Sequence, residues 1–237
     1  MHLVAQVVLH GAEELGLDLP PGAVAAFGTY YDFLEKHGRS MNLTAITGAH
    51  DVARLHFLDS LSLLSAADFK SARIIDVGSG AGFPGIPIKL AEPSVELTLL
   101  DATGKRVAFL LELCAVLGIN AACVHARAEE ASRRTDMREQ FDIALSRAVA
   151  RLNTLCELCL PFVRVGGKFL AMKSVDSAEE LFEARNAMSI LGAEHENNFD
   201  YSIPGTDIVH RAVIIRKSFP APIEYPRRFA KIQKFPL

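Results

Sequence analysis

Three things are scarce in this 237-residue sequence: long apolar runs, cysteine, and an excess of charge of one sign. No apolar run approaches the roughly 18–20 residues needed to span a bilayer. The N-terminal stretch "MHLVAQVVLHGAEELGLDLPPG" lacks a basic leading region and soon turns acidic, so it reads as an amphipathic helix and not as a signal peptide. Four cysteines, Cys114, Cys123, Cys156 and Cys159, are too few for a disulfide framework. The expectation is a cytoplasmic protein with no membrane partner.

Cys156 and Cys159 form C-x-x-C, but a zinc site needs four ligands, and no second C-x-x-C or H-x3-H accompanies them. "NTLCELCLPF" has the apolar spacing of a packed helix, so these thiols are expected in the core and no metal is expected. The formal net charge of −3 excludes a uniformly basic nucleic-acid coat and leaves room for a local basic patch. With half the residues hydrophobic and 22% charged, the chain can pack a core and is not disordered.

The first 70 residues read as helices, in "GAVAAFGTYYDFLEKHG" and in "DVARLHFLDSLSLLSAADF", separated by the irregular "RSMNLTAITG". From residue 73 short apolar runs alternate with helical patterns: "RIIDV", "VELTLLD", "AACVHA", "FDIALSR" and "KFLAMK" as strands, "KRVAFLLELCAVLG" and "LNTLCELCLPFV" as helices. That alternation predicts an α/β fold with a parallel sheet covered on both faces. "EHENNFDYSI" and "RAVIIRKS" add two strands with no clear helix between them, able to pair antiparallel and bringing the sheet to seven strands. We expect residues 1–70 to form a helical extension on a core of residues 71–237, with "YPRRFAKIQKFPL" as a loosely structured tail.

The densest feature is "RIIDVGSGAGFPGIPI", where a strand ending at Asp76 breaks into a turn with Gly78, Gly80, Gly82 and Gly85. In doubly wound sheets ligands sit beyond the carboxyl end of the first strand, where this turn lies. It is not a P-loop, since no Gly-Lys-Ser/Thr follows, and the dinucleotide register fails because Phe83 stands where the third glycine belongs. An acid at position 76 would repel a pyrophosphate and favour a cation. S-adenosylmethionine, with its sulfonium and ammonium groups, is such a ligand. Asp101, ending the second strand, can accept both hydroxyls of a ribose. Ala128 and Glu129 in "ARAEE" can border an adenine.

The end of the fourth strand limits the chemistry. "ALSRAVARL" has neither the Asn/Asp-Pro-Pro-aromatic segment used for exocyclic amines nor a cysteine to activate a pyrimidine carbon. Ser146 has no nearby histidine in sequence. An acceptor with a free lone pair, such as guanine N7, needs no general base and depends on proximity and alignment. Arg147 can orient cofactor or base, or pair with a nearby acid.

The ordered segments "MNLTAI", "HFLDSL", "RIIDVGSGAGFPGIP", "LLDATGKRVAFL", "ARAEE", "FDIALSRAVA", "GGKFLAMK" and "YPRR" resemble the bacterial 16S ribosomal RNA guanine-N7 methyltransferases, the glucose-inhibited division protein B family. The resemblance spans roughly residues 30–237. It implies a class I methyltransferase fold, S-adenosylmethionine as cofactor, and 16S RNA in the small ribosomal subunit or an assembly intermediate as partner. By matching motif it implies cofactor contacts at Gly78, Phe83, Ala128, Glu129 and Arg147, to which the turn adds Asp76, Gly80 and Asp101. Asn42, Arg127, Lys173 and Arg211 match polar family positions and are weaker candidates for RNA binding or site organisation. The chain departs from the family in having His37-Gly38 where Trp-Asn is usual, and it has no tryptophan.

From residue 216 onward six basic residues, including Arg227 and Arg228, face one acid, Glu224. A flexible tail of that kind can contact phosphates, with Phe229 and Phe235 stacking on bases. A small-molecule methyltransferase and a non-catalytic cofactor- or RNA-binding module remain alternatives.

Overall fold

The computed structural model describes residues 1–37, 43–147 and 150–237. Seven strands form one sheet in the order β3-β2-β1-β4-β5-β7-β6. They are β1 (Arg73–Val77), β2 (Glu96–Asp101), β3 (Ala121–His125), β4 (Phe141–Arg147), β5 (Val163–Ser174), β6 (Ala193–Ser202) and β7 (Val209–Lys217). The first five run parallel, and β7 inserts antiparallel between β5 and β6.

Alternation along each strand divides the core into two layers, because successive side chains point to opposite faces. Ile74, Leu97, Leu99, Ile143, Leu145, Leu170 and Ile214 pack on one face. Ile75, Val77, Leu100, Ala144, Phe169, Val213 and Ile215 pack on the other. Buried on both sides, β1 and β4 have to be apolar almost throughout, which is why they read as continuous hydrophobic runs.

Helices α1 (Leu3–Glu14) and α2 (Ala23–His37) lie on the first face. A helical run follows from α3 (Ala49–Val52) through a π-helical segment (Ala53–Leu58) and α4 (Asp59–Leu61) to a 3-10 turn (Ser62–Ser65). Val4, Val8, Phe27, Tyr30, Phe57 and Leu61 from these helices share one continuous cluster with the sheet. The same layer holds α5 (Gly85–Ala91) and α6 (Gly104–Leu117), the latter stopped by Gly118 at φ 63°.

The opposite layer contains α7 (Ala128–Ala131), α8 (Leu152–Cys159), α9 (Ala178–Glu183) and α10 (Arg185–Ile190). Cys156 and Cys159 are fully buried there, and burial raises both thiols well above their usual range. Among the described residues no helix is long and apolar enough to cross a membrane.

The tail departs from expectation. It is docked and ends in a short helix, α11 (Phe229–Lys234), whose Ile232 is fully buried. Three side chains preceding β4 hold the chain that leads to it. Arg133 donates to the carbonyls of Ile223, Glu224 and Pro226. Arg138 donates to those of Ala221, Pro222 and Tyr225, and Glu139 accepts from the Ala221 amide. Most backbone carbonyls need a partner when covered, and here two arginines supply it.

Candidate active site

The glycine turn leaves β1 and is tied to the end of β2. The amides of Gly78 and Ser79 donate to the Leu100 carbonyl at 2.8 and 3.1 Å. The Gly80 amide donates to Asp101 Oδ2 at 3.1 Å. Gly78 at φ 79° and Gly80 at φ 57° use backbone conformations that side-chain-bearing residues rarely adopt. The turn therefore presents bare backbone to a cavity of about 680 Å3.

That cavity brings together Gly78, Gly80, Phe83, Arg147 and Lys173 from the sequence-derived candidates. Asp76 and Asp101 lie immediately behind the turn. Asp76 Oδ2 accepts from the Gly85 amide at 2.9 Å, capping α5, while Oδ1 is buried with no partner among the described residues. Burial pushes this carboxyl up to about 7. Asp101 Oδ1 accepts from the Thr103 amide at 2.8 Å, and Arg106 approaches Oδ2 at 3.6 Å. A bare-backbone cradle, a buried carboxylate oxygen with no partner and a second acid at the strand end fit a cationic nucleoside such as S-adenosylmethionine.

The other candidates lie elsewhere. Arg127 pairs with Glu129 at 2.7 Å and stacks on Phe229, with 4.8 Å from guanidinium carbon to ring centroid. With Arg228 they border a separate depression of about 560 Å3, while Ala128 packs partly buried against the second core layer. Arg227 is not free for phosphate: it forms a multidentate pair with Glu157, which is fully buried on α8. Arg211 is likewise engaged, bound to Asp200 across the β6–β7 pair at 2.6 and 2.7 Å. Lys173 reaches the cavity wall but donates to Glu180 and to the Ala150 carbonyl, both at 2.7 Å. Asn42 lies outside the described residues. Phe235 is exposed, whereas Phe229 is half-buried against Arg127.

Residues not singled out in the sequence complete the site. The π-helical segment carries His56, and Asp59 follows one turn later. Insertions of this kind are frequent at functional sites. Asp59 is buried, and its carboxylate collects three donors: Arg147 at 3.2 Å, Tyr201 Oη at 2.9 Å and His210 Nδ1 at 2.8 Å. Arg147 thus both faces the cavity and pairs with an acid.

Arg147 also donates to the Leu55 carbonyl at 3.3 Å and to His56 Nδ1 at 3.0 Å. Because arginine can only donate, His56 Nδ1 must be the acceptor. His56 Nε2 therefore carries the proton and donates to Thr44 Oγ1 at 2.7 Å. Burial, then the neighbouring guanidinium, lowers the His56 pKa to about 3, so the ring is neutral. It stacks on Phe83 with centroids 4.5 Å apart, and the Arg147 guanidinium lies 4.9 Å from the same Phe83 ring. Ser146 is fully buried and donates to the Val77 carbonyl, which removes it as a nucleophile.

Comparison with known proteins shows the fold and the family. Among the solved structures that share the fold are two TYW2 proteins. The M. jannaschii TYW2 in complex with AdoMet matches with TM-score 0.52 at 11% identity, over 66% of this chain and 72% of that one. The P. horikoshii TYW2 in complex with MeSAdo matches with TM-score 0.51 at 16% identity, over 65% and 60%. Sequence relatives are far nearer. A Ribosomal RNA small subunit methyltransferase G from Lachnoclostridium phytofermentans is 44% identical over 97% of this chain and 96% of its own length. One of the same name from Alkaliphilus oremlandii is 42% identical over 98% of both. Residues 23–204 match the family described as GidB, rRNA small subunit methyltransferase G, and the chain belongs to that family.

Proposed function

We propose that this protein transfers a methyl group from S-adenosylmethionine to N7 of one guanosine in 16S ribosomal RNA, within the small subunit or an assembly intermediate, in the cytoplasm. The observation that carries this reading is that the bare glycine turn and the Asp59–Arg147–His56 cluster open into one cavity. The cofactor, when bound, supplies a methyl on a sulfonium, already activated for displacement.

The chain's own residues then have to orient and shield. Gly78 and Gly80 let the cofactor approach the backbone, while Asp76 and Asp101 place negative charge behind the turn, towards its cationic and hydroxylated ends. Guanine N7 attacks with a lone pair, so no proton must leave first and the reaction needs no general base. The neutral His56 and buried Ser146 fit that requirement.

Arg147 has five N–H donors and makes three hydrogen bonds among the described residues, which leaves Nε–H and one terminal N–H to meet cofactor or guanine O6. Asp59 balances its charge, so the guanidinium does not repel a sulfonium. Leu43, Ile46 and Met172 give the cavity apolar walls on which a base plane can rest. Most of the rate then comes from alignment.

Small subunits lacking N7 methylation, incubated with labelled S-adenosylmethionine and cleaved chemically at 7-methylguanosine, should show a single cut in the 16S RNA. Gly78→Leu should abolish both cofactor binding and the cut. No incorporation by a protein that binds cofactor would refute the proposal.

A further inference from the structure

His210 is a histidine held in one orientation with half of its chemistry unspent. It stands near the start of β7, paired in register with Ser174 at the end of β5 and with Tyr201 on β6. This is the end of the sheet, at the carboxyl ends of the parallel strands, where β4 delivers Arg147, and His210 and Arg147 line the same cavity. Its Nδ1 lies 2.8 Å from Asp59 Oδ1. A carboxylate can only accept, so Nδ1 carries the proton. The neutral ring therefore holds a lone pair on Nε2, which has no partner among the described residues, and the side chain is 35% exposed.

The donors and acceptors of the site are unevenly spent. Arg147 retains donors that are unused among the described residues. Lys173 on β5 is consumed by Glu180 and the Ala150 carbonyl. Asp59 has both oxygens occupied, and His56 is locked between Arg147 and Thr44. Tyr201 is committed to Asp59. Among the ionisable groups around the cavity, His210 Nε2 is thus an acceptor left available.

A guanine whose N7 and O6 face the cofactor and Arg147 turns N1–H and the 2-amino group, both donors, the other way. We propose that His210, in its neutral form, accepts a hydrogen bond from this donor edge and thereby selects guanine. The inference rests on the assignment of guanosine as acceptor. Adenine has a lone pair at N1 and no 2-amino group, so it would set two acceptors against each other and leave a polar group unpaired. Methylation at N7 also places positive charge on the purine and makes N1–H a stronger donor. The bond to His210 therefore strengthens as the reaction proceeds, which lowers the barrier and does not merely tighten binding.

Protonation of Nε2 would end this role, since imidazolium can only donate. It would also add a second cation beside Arg147. The Asp59 hydrogen bond, opposed by desolvation, raises the His210 pKa from its usual value. Activity at saturating cofactor should therefore fall on the acid side as pH drops through that raised pKa.

The test compares wild type, His210→Leu and His210→Gln on small subunits lacking N7 methylation, with cofactor affinity measured separately by calorimetry. His210→Leu should lose about tenfold to a hundredfold in kcat/KM for subunits, the range for one unsatisfied hydrogen bond, while cofactor Kd stays within twofold. His210→Gln, which keeps an acceptor that does not titrate, should recover part of that rate and lose the acid limb. Three outcomes would overturn the proposal: wild-type kcat/KM in His210→Leu, an acid limb that persists in His210→Gln, or a parallel loss of cofactor affinity, which would make His210 only a prop for Asp59. Failure of the wild-type protein to methylate subunits at all would instead refute the assignment of substrate.

Discussion

The Asp59 carboxylate and the Arg147 guanidinium meet at 3.2 Å across a span of 88 residues, with Asp59 almost wholly buried. The pair is the hub of the site, because the same carboxylate fixes Tyr201 and His210. Asp59→Asn removes the charge and sets an amide donor against groups that donate. Loss of one partner from a buried ion pair costs about 3–5 kcal/mol. We expect a lower Tm and a fall of about a hundredfold in methyl transfer, the scale of a misplaced positioning group. Thermal unfolding and single-turnover assays check both. Full activity in a folded Asp59→Asn protein would show that Arg147 needs no counter-charge.

A second prediction concerns the turn. Gly82 has φ 101°, and a β-carbon there would lie 2.6 Å from Ile86 Cδ1 and 2.7 Å from Tyr30 Oη. Tyr30 is buried and donates to the Ala81 carbonyl at 2.6 Å, bracing the turn from α2. Gly82→Ala must therefore break that brace or strain the backbone. A loss of about 1–3 kcal/mol is expected, with weaker cofactor binding in a calorimetric titration. Tyr30→Phe, which deletes the brace without a clash, should show a smaller effect in the same direction.

The sheet was legible because its signals are local. Buried parallel strands must be apolar, so β1, β2 and β4 stand out, and the absence of a helical pattern between β6 and β7 betrays their antiparallel pairing. The glycine turn was legible for the same reason: its conformation admits few other residues. The helices α9 and α10 were not, since six residues each are too short to display a period. The cluster around Arg147 was illegible for a different reason. His56, Asp59, Arg147, Tyr201 and His210 meet only through tertiary packing, and no spacing rule links them. The one clue was a buried-looking Asp three residues after a His in the otherwise apolar "HFLDSL". The tail misled because its charge pattern is that of a solvated arm, whereas Arg227 finds a fully buried acid.

That buried acid gives the third prediction. Glu157 Oε1 accepts from the Arg227 amide at 2.7 Å as well as from its guanidinium. Deleting residues 225–237 leaves Glu157 unpaired in the core, so the first consequence of truncation should be lost stability, about 3–5 kcal/mol. Weakened RNA binding alone is not expected. Phe229 leaves with the tail, and with it the stack on Arg127 beside Glu129. Thermal melts of the truncated protein and of Glu157→Gln should shift down together. An unchanged Tm would show that the tail is held by nothing that matters to the core.

Asp76 supplies a pH dependence whose sign can be worked out. Burial is the largest influence on it, and raises its pKa from the ordinary carboxylate value to about 7. Between about pH 4 and 7 the folded protein therefore holds a proton that the unfolded chain, with an ordinary Asp near 3.9, has released. Stability contributed by this group falls as pH rises through that window and levels off above it. A cationic cofactor reverses the preference, since it favours the carboxylate. Binding near pH 6.5 should then expel a proton, and apparent affinity should weaken as pH drops below 7, by up to about tenfold per unit. Calorimetry in two buffers of different ionisation enthalpy reads the proton directly. Asp76→Asn should bind cofactor more weakly, release no proton, and be more stable than wild type at pH 8, because the amide oxygen still caps α5 without a buried charge. A binding enthalpy independent of buffer in the wild-type protein would mean that the carboxylate does not sense the cofactor, and would leave Asp76 as a helix cap alone.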